Sequence, residues 1–159
     1  MINDEIAKKL SELSEISDPK KYDEFIEFIF FDNSDILDID KLEMSDIPLL
    51  CHAFHDKGWY FGQMFDLVHI IEHIAGELSD YLTYIATVTP GMKNSKEWAE
   101  TLNLRILNSS KCSDEYIKVI SNLGEADKNA IITLLYDIKS HNYKEYGEVI
   151  DEFLAKVDA

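Results

Sequence analysis

Several residue types are scarce in this 159-residue sequence. It contains two cysteines, six glycines and three prolines. Cys51 and Cys112 lie far apart and match neither a disulfide framework nor a Cys-x-x-Cys metal pair, so we expect two reduced, largely buried thiols. The glycines are scattered singly, which excludes a glycine-rich phosphate loop, and no Gly-x-Ser-x-Gly elbow is present. The sequence therefore lacks the motifs of the commonest enzyme classes.

Long apolar runs are also missing. No stretch approaches the roughly 20 apolar residues that a membrane-spanning helix needs. The N-terminus, MINDEIAKKL, has no apolar core of the kind that a signal peptide carries. With 46% hydrophobic and 11% aromatic residues, the composition is that of a folded globular protein. These features predict a cytosolic protein with no membrane contact, and the length favours a single domain.

Basic residues are half as frequent as acidic ones. Thirty-one acids against fifteen bases leave a net charge of −16, which opposes binding to nucleic acid or to an anionic membrane. The first 56 residues hold fifteen of the acids and five lysines. The densest acidic run contains one base, Lys41, among Asp32, Asp35, Asp38, Asp40, Glu43 and Asp46. Such a surface serves solubility alone or docks a basic partner, and both interpretations stay open.

Strand patterns are absent as well. No stretch alternates polar and apolar residues between turn signals, whereas apolar residues recur at spacings of three and four throughout. This predicts an all-α single domain of about eight helices in antiparallel pairs, forming an irregular bundle or an α-solenoid-like stack. We divide it into acidic N-terminal helices (1–57), a central helical core (59–140) and a C-terminal helix (143–158).

Local signals mark several boundaries. Asp18 followed by Pro19 predicts a helix start. Residues 31–45 predict a connection in which apolar side chains such as Ile39 anchor the segment while the carboxylates face outward. Residues 89–91, Thr-Pro-Gly, predict a break between helices. One helix is expected to follow this break, and Ser113 is expected to begin the helix after it.

The most apolar helical segment is residues 64–76, MFDLVHIIEHIAG. Its apolar residues form one helix face that neighbouring apolar side chains widen until little of the helix tolerates water. We therefore predict a buried central helix.

The same segment carries a His-x-x-Glu-His triplet: His69, Glu72 and His73. In zinc enzymes with this pattern, two imidazoles one turn apart bind the metal and the glutamate acts on its water. The preceding helix offers further ligands in Cys51, His52 and His55, but no third ligand stands at a recognisable downstream spacing. The alternative is that the histidines make hydrogen bonds in or beside the core, and we therefore predict no cofactor.

Arg105 is the sole arginine and stands in an otherwise apolar string, LNLRILN. An unpaired buried charge is costly, so we predict a structural ion pair, with Glu72 as the best partner. An anion-binding or catalytic role is the alternative. Trp59 and Tyr60, in the loop before the central helix, are core anchors or contact residues for a partner.

Two segments carry a family resemblance: LVHIIEHI, and PGMKNSKEWAETLNLRILNSS with the helix after it. Together they resemble the small helical immunity proteins of bacterial polymorphic-toxin and contact-dependent growth inhibition systems, most of all the immunity protein 30 family. The resemblance covers about residues 61–135 and leaves the first 56 residues outside.

The resemblance implies a cytosolic, non-enzymatic antidote that binds one cognate toxin domain, often a nuclease, and blocks its active site or substrate surface. A nuclease must bind phosphates and tends to be basic, so the acidic run, with Trp59 and Tyr60, is the expected contact. A helical-repeat adaptor for another partner is the second hypothesis, and a zinc hydrolase using His69 and His73 is the third. The sequence does not determine the oligomeric state.

Overall fold

The computed structural model describes residues 2–13, 15–28, 38–56 and 61–159. Within these ranges the chain is all-α: helices and short 3-10 turns are present and strands are not. The nine α-helices of the described ranges exceed the predicted eight by one, and α3 has only four residues. Their bounds are α1 Asp4–Leu13, α2 Pro19–Glu27, α3 Ile47–Leu50, α4 Phe61–His73, α5 Leu78–Val88, α6 Lys96–Leu107, α7 Ser110–Ser121, α8 Glu125–His141 and α9 Tyr143–Val157.

The chain forms two compact units. Unit 1 comprises Met1–Gly76 with Asn94–Lys96, and unit 2 comprises Glu77–Lys93 with Glu97–Ala159. The boundary follows α4, whereas the division predicted from sequence, at residues 57–59, lies before that helix. The prediction of a single domain stays a prediction.

In unit 1, α1 and α2 form where the sequence predicts them. Buried apolar residues one turn apart hold α1, and the Asp18 carboxylate caps α2 by accepting the Lys20 N–H at 3.0 Å. On α2, Tyr22 is fully buried, and its hydroxyl donates to the carbonyl of Ala53 and lies 3.3 Å from the sulfur of Met64. Tyr22 therefore ties α2 to α4 and to the turn after α3.

Helix α4 has one buried face. Its predicted apolar positions are buried at Met64, Leu67, Val68 and Ile71. Asp66, His69 and His73 are exposed, so the prediction of a helix buried all round is wrong. The polar residues fall on one side at helical spacing, which makes α4 amphipathic.

Unit 2 is a stack of long helices. Helix α7 packs against both α5 and α9, and α8 packs against α9. Contact between every second helix is typical of stacked helical pairs, which agrees with the solenoid-like arrangement that the sequence predicts. Helix α7 begins at Ser110, capped by the Ser109 hydroxyl, which accepts the Cys112 N–H at 3.4 Å. The predicted start at Ser113 is therefore wrong by three residues.

A buried polar network holds α5, α6 and α7 together. The Asn103 side-chain amide donates to the Thr89 hydroxyl at 3.0 Å and to the Ala99 carbonyl at 2.8 Å. Its oxygen accepts the hydroxyl of Tyr116 at 2.7 Å, and the Thr89 hydroxyl donates to the carbonyl of Ile85 at 2.7 Å. Asn103 and Tyr116 are fully buried, and desolvation there raises the pKa of Tyr116.

Candidate functional site

The His-x-x-Glu-His triplet lies on the outward side of α4. His73 Nδ1 is 2.7 Å from the carbonyl oxygen of His69, one turn earlier, and His69 Nδ1 is 3.7 Å from a carboxylate oxygen of Glu72. The two imidazole centroids are 6.5 Å apart, with the rings inclined at 64°. The contacts described for the triplet are thus local ones within a single helix, and one ring nitrogen of His73 is engaged by the backbone.

The additional ligands considered from sequence do not join this triplet into a cluster. His55 is buried with its ring centroid 4.7 Å from that of Tyr22, and Cys51 is buried, which raises its pKa to about 12. Among the residues that the structure describes, no three His, Cys, Asp or Glu side chains form a group that could hold a metal ion.

Arg105 is exposed, although the apolar string around it predicts a buried charge. It lies on α6 between Leu102 and Ile106, which are buried, and its own position falls on the helix face that meets solvent. Glu72, its predicted partner, has a half-buried side chain beside His69. The Glu72–Arg105 pair stays a prediction, but its premise of burial is corrected.

The described part of the acidic run, residues 38–46, contains two 3-10 turns, Ile39–Lys41 and Met44–Asp46. Asp38 and Asp40 are exposed, and Lys41 pairs with Asp38 at 2.6 Å. The hydrogen bond from Lys41 lowers the pKa of Asp38 and raises that of Lys41 itself. We call residues 38–41 the acidic turn. Of the other predicted contact residues, Asp32, Asp35, Trp59 and Tyr60 lie outside the described residues.

Asp46 belongs to the interior and not to the predicted contact surface. Its side chain is buried, and its two carboxylate oxygens accept the backbone N–H groups of Ile2 at 3.2 Å and Glu43 at 2.9 Å. These bonds fix the chain before α3 and attach the N-terminus to it. Glu43 itself is exposed and remains a candidate for partner contact.

Ile39 is a second residue of this run whose burial differs from the prediction. It was expected to anchor the segment inside, yet its side chain is 56% exposed at the acidic turn, between Asp38 and Asp40. Leu42 and Met44, which the sequence also predicts as anchors of this segment, are half-buried. An exposed isoleucine flanked by carboxylates combines an apolar contact with a charge, a combination suited to recognising a basic protein.

No helix in the described ranges is both long enough and apolar enough to cross a membrane.

The sequence model of the immunity protein 30 family matches residues 8–116, which is more than half of the chain. No curated protein and no solved structure matches this chain. The match begins near the N-terminus, which corrects the expectation that the first 56 residues lie outside the resemblance, and it ends within α7. This chain belongs to the immunity protein 30 family.

Proposed function

We propose that this protein neutralises one cognate toxin domain by binding it stoichiometrically, in the bacterial cytoplasm and without catalysing a reaction. The family match over residues 8–116 is the observation that carries the proposal, because an immunity protein requires a toxin partner. The third hypothesis, a zinc hydrolase, has no support from His69 and His73, whose described contacts are local to α4.

The toxin domain that suits this chain best is a basic nuclease. A nuclease surface must attract phosphates, and a protein with a net charge of −16 competes for the same positive surface. Opposite charge also speeds encounter between the two proteins, which favours an antidote that must act before its toxin. Occlusion of the active site or substrate surface follows from this competition.

The acidic turn is the described part of the contact that we propose within unit 1. Asp38 and Asp40 supply exposed charge, and Ile39 supplies an apolar side chain between them. Glu43 extends the charge along the chain, whereas Asp46 is left out because it is buried.

The decisive experiment looks for an open reading frame for a large secreted toxin immediately upstream of the gene and pairs the chain with the C-terminal domain of that toxin. We expect co-expression to restore growth, and purification to yield a one-to-one complex in which nucleic-acid cleavage is inhibited. Cells that die equally with and without the chain would overturn the immunity proposal and leave the helical-repeat adaptor. Inhibition of a toxin domain that cleaves no nucleic acid would refute the nuclease assignment alone.

Metal analysis of the purified protein tests the enzyme alternative separately. We expect less than stoichiometric zinc. A full equivalent that disappears in the His69→Ala, His73→Ala double variant would contradict the proposal of a non-catalytic inhibitor.

A further inference from the structure

Two large aromatic side chains project from the α8–α9 region of unit 2. Tyr136 on α8 is 52% exposed and Tyr143, the first residue of α9, is 57% exposed. Lys139 lies near both rings, and Gly147 and Asp151 follow Tyr143 on α9 at intervals of four residues, which places them on one helix face. We call these five residues the tyrosine surface.

The lysine at the centre of the tyrosine surface is held in place and neutralised. Its ammonium lies 6.0 Å from the ring centroid of Tyr136 and 5.6 Å from that of Tyr143, within reach of a cation–π attraction. The same ammonium forms an ion pair with Asp151, whose carboxylate is the first cause of the raised pKa of Lys139. Lys139 thus orders both rings without adding net positive charge.

Gly147 lets the ring of Tyr143 lie against α9. A Cβ added at residue 147 would stand 2.5 Å from Cδ2 and 2.8 Å from Cγ of that ring, closer than real side chains approach. Glycine in a helix interior is less favourable than alanine by about 1 kcal/mol. At residue 147 the absence of a side chain leaves the space that the ring of Tyr143 occupies. The exposed ring of Tyr143 is therefore positioned before any partner arrives, which lowers the entropy cost of binding.

Helix α9 carries more exposed acids than exposed bases. Its exposed charged residues are three glutamates, Glu145, Glu148 and Glu152, and two lysines, Lys144 and Lys156. Exposed aromatic side chains on an acidic protein complement a basic protein surface, and tyrosines are enriched among residues that dominate binding energy. The net charge of −16 opposes a nucleic-acid ligand, and two copies of the chain would bring like charges together.

We propose that the tyrosine surface contacts a basic surface of the cognate toxin domain, with Tyr136 and Tyr143 as its principal apolar contacts. This inference rests on the proposed immunity function. The surface lies on α8 and α9, beyond the residues 8–116 that the family model matches. It is therefore a second contact, additional to the acidic turn, on the part of the chain outside that match.

The test measures binding of the full chain to the catalytically inactive toxin domain encoded upstream. The Tyr136→Ala, Tyr143→Ala variant removes both rings, and Tyr136→Phe, Tyr143→Phe keeps the rings without their hydroxyls. A matched control, Asn129→Ala with Ala155→Ser, alters exposed positions on the same two helices, away from both tyrosines and without a change of charge. Circular dichroism melting confirms that each variant is folded.

We expect the double alanine variant to bind at least about 30-fold more weakly, the loss typical of two interface residues that dominate binding. The phenylalanine variant and the control should stay within about threefold of the unaltered chain. Gly147→Ala provides a further variant that keeps both rings. It should weaken binding while leaving the melting temperature equal or higher, because alanine favours the helix but displaces Tyr143.

Two outcomes separate this inference from the proposed function. If the unaltered chain binds and protects while the double alanine variant does so equally well, the tyrosine surface is refuted and the immunity function stands. If the unaltered chain does not bind the toxin domain, both fail. Sedimentation of the chain alone should show a monomer, and a dimer abolished by the double alanine variant would assign the surface to self-association and overturn the inference.

Discussion

Asn103 shows how one polar side chain can be essential to a core without taking part in function. It lies in LNLRILN, the string that carries the family resemblance, and it is fully buried between Thr89 and Tyr116. Removing it would leave the hydroxyl of Tyr116 buried without its acceptor, and an unmade buried hydrogen bond costs more than a made one contributes. Within this string, Asn103 therefore has a structural role in the core.

Asn103→Leu is expected to lower the free energy of unfolding by roughly 2 kcal/mol or more, since at least one buried partner loses its bond. Thermal and urea unfolding measure this directly. Asn129→Leu, at an exposed position on α8, is the matched control and should change stability by less than about 0.5 kcal/mol. Equal melting temperatures for the two variants would contradict the importance of the network.

The buried tyrosines predict a loss of stability in alkali. Burial raises the pKa of Tyr22 and of Tyr116 above the ordinary value of 10.0, and that of Cys51 from 9.0 to about 12. The unfolded chain releases these protons first, so their stabilising effect is complete below pH 9 and declines as pH rises further. Above pH 10 each tyrosine should lower the free energy of unfolding by roughly 1 kcal/mol per pH unit.

Urea unfolding at a series of pH values tests this, with ultraviolet absorbance reporting tyrosinate. Tyr116→Phe should be less stable than the unaltered chain near neutral pH, where it lacks a hydrogen bond, and should lose less stability in alkali. Parallel pH profiles for the two proteins would show that Tyr116 does not titrate on unfolding.

At the scale of single elements, capping and periodicity were more reliable guides than overall apolarity. Asp18 and Pro19 begin α2 as predicted. The α7 start was misplaced because Ser109 and Ser113 are equally good capping residues, and only tertiary packing selects between them. The many apolar residues of α4 predict a helix that is buried on all sides. The structure shows that one face of α4, which contains His69 and His73, is exposed.

Asp18→Ala should destabilise α2 by about 1 kcal/mol, because the Lys20 N–H then loses its side-chain acceptor. Ser17→Ala, at the neighbouring exposed position, is the control and should be close to neutral. Amide hydrogen exchange should locate the change in residues 19–27 of unit 1. An unchanged exchange rate there would show that the cap contributes little to the helix.

At the scale of the whole molecule, the acidic excess predicts how the protein meets its partner. Asp38→Lys with Asp40→Lys reverses the acidic turn, and Glu125→Lys with Asp158→Lys makes the same change in net charge at exposed sites in unit 2. We expect the first variant to associate with the toxin domain about tenfold more slowly at low salt and the control to change less. Added salt should reduce the difference by screening.

Stopped-flow association over a range of ionic strengths measures both effects. Equal slowing by the two variants would show that net charge matters and that the acidic turn is not the contact. No slowing by either variant would refute electrostatic steering.

The sequence by itself determined the fold class, most helix positions, the acidic character and the family resemblance. Helical periodicity, capping residues and charge are properties of neighbouring residues, so they can be read from the chain without knowing its path. The resemblance was placed too far toward the C-terminus, since the family match begins at residue 8 and ends at 116.

Tertiary structure alone decided which polar residues are inside. Asp46 and Asp38 belong to the same acidic run. Asp46 is buried, and its carboxylate accepts two backbone N–H groups, whereas Asp38 is exposed to solvent. Arg105 proved exposed amid apolar neighbours, and Ile39 proved exposed amid acids. The tyrosine surface likewise requires the folded chain, because Lys139 and Asp151 meet across two helices. Burial depends on which helix packs over a residue, and that information is distributed over the whole chain.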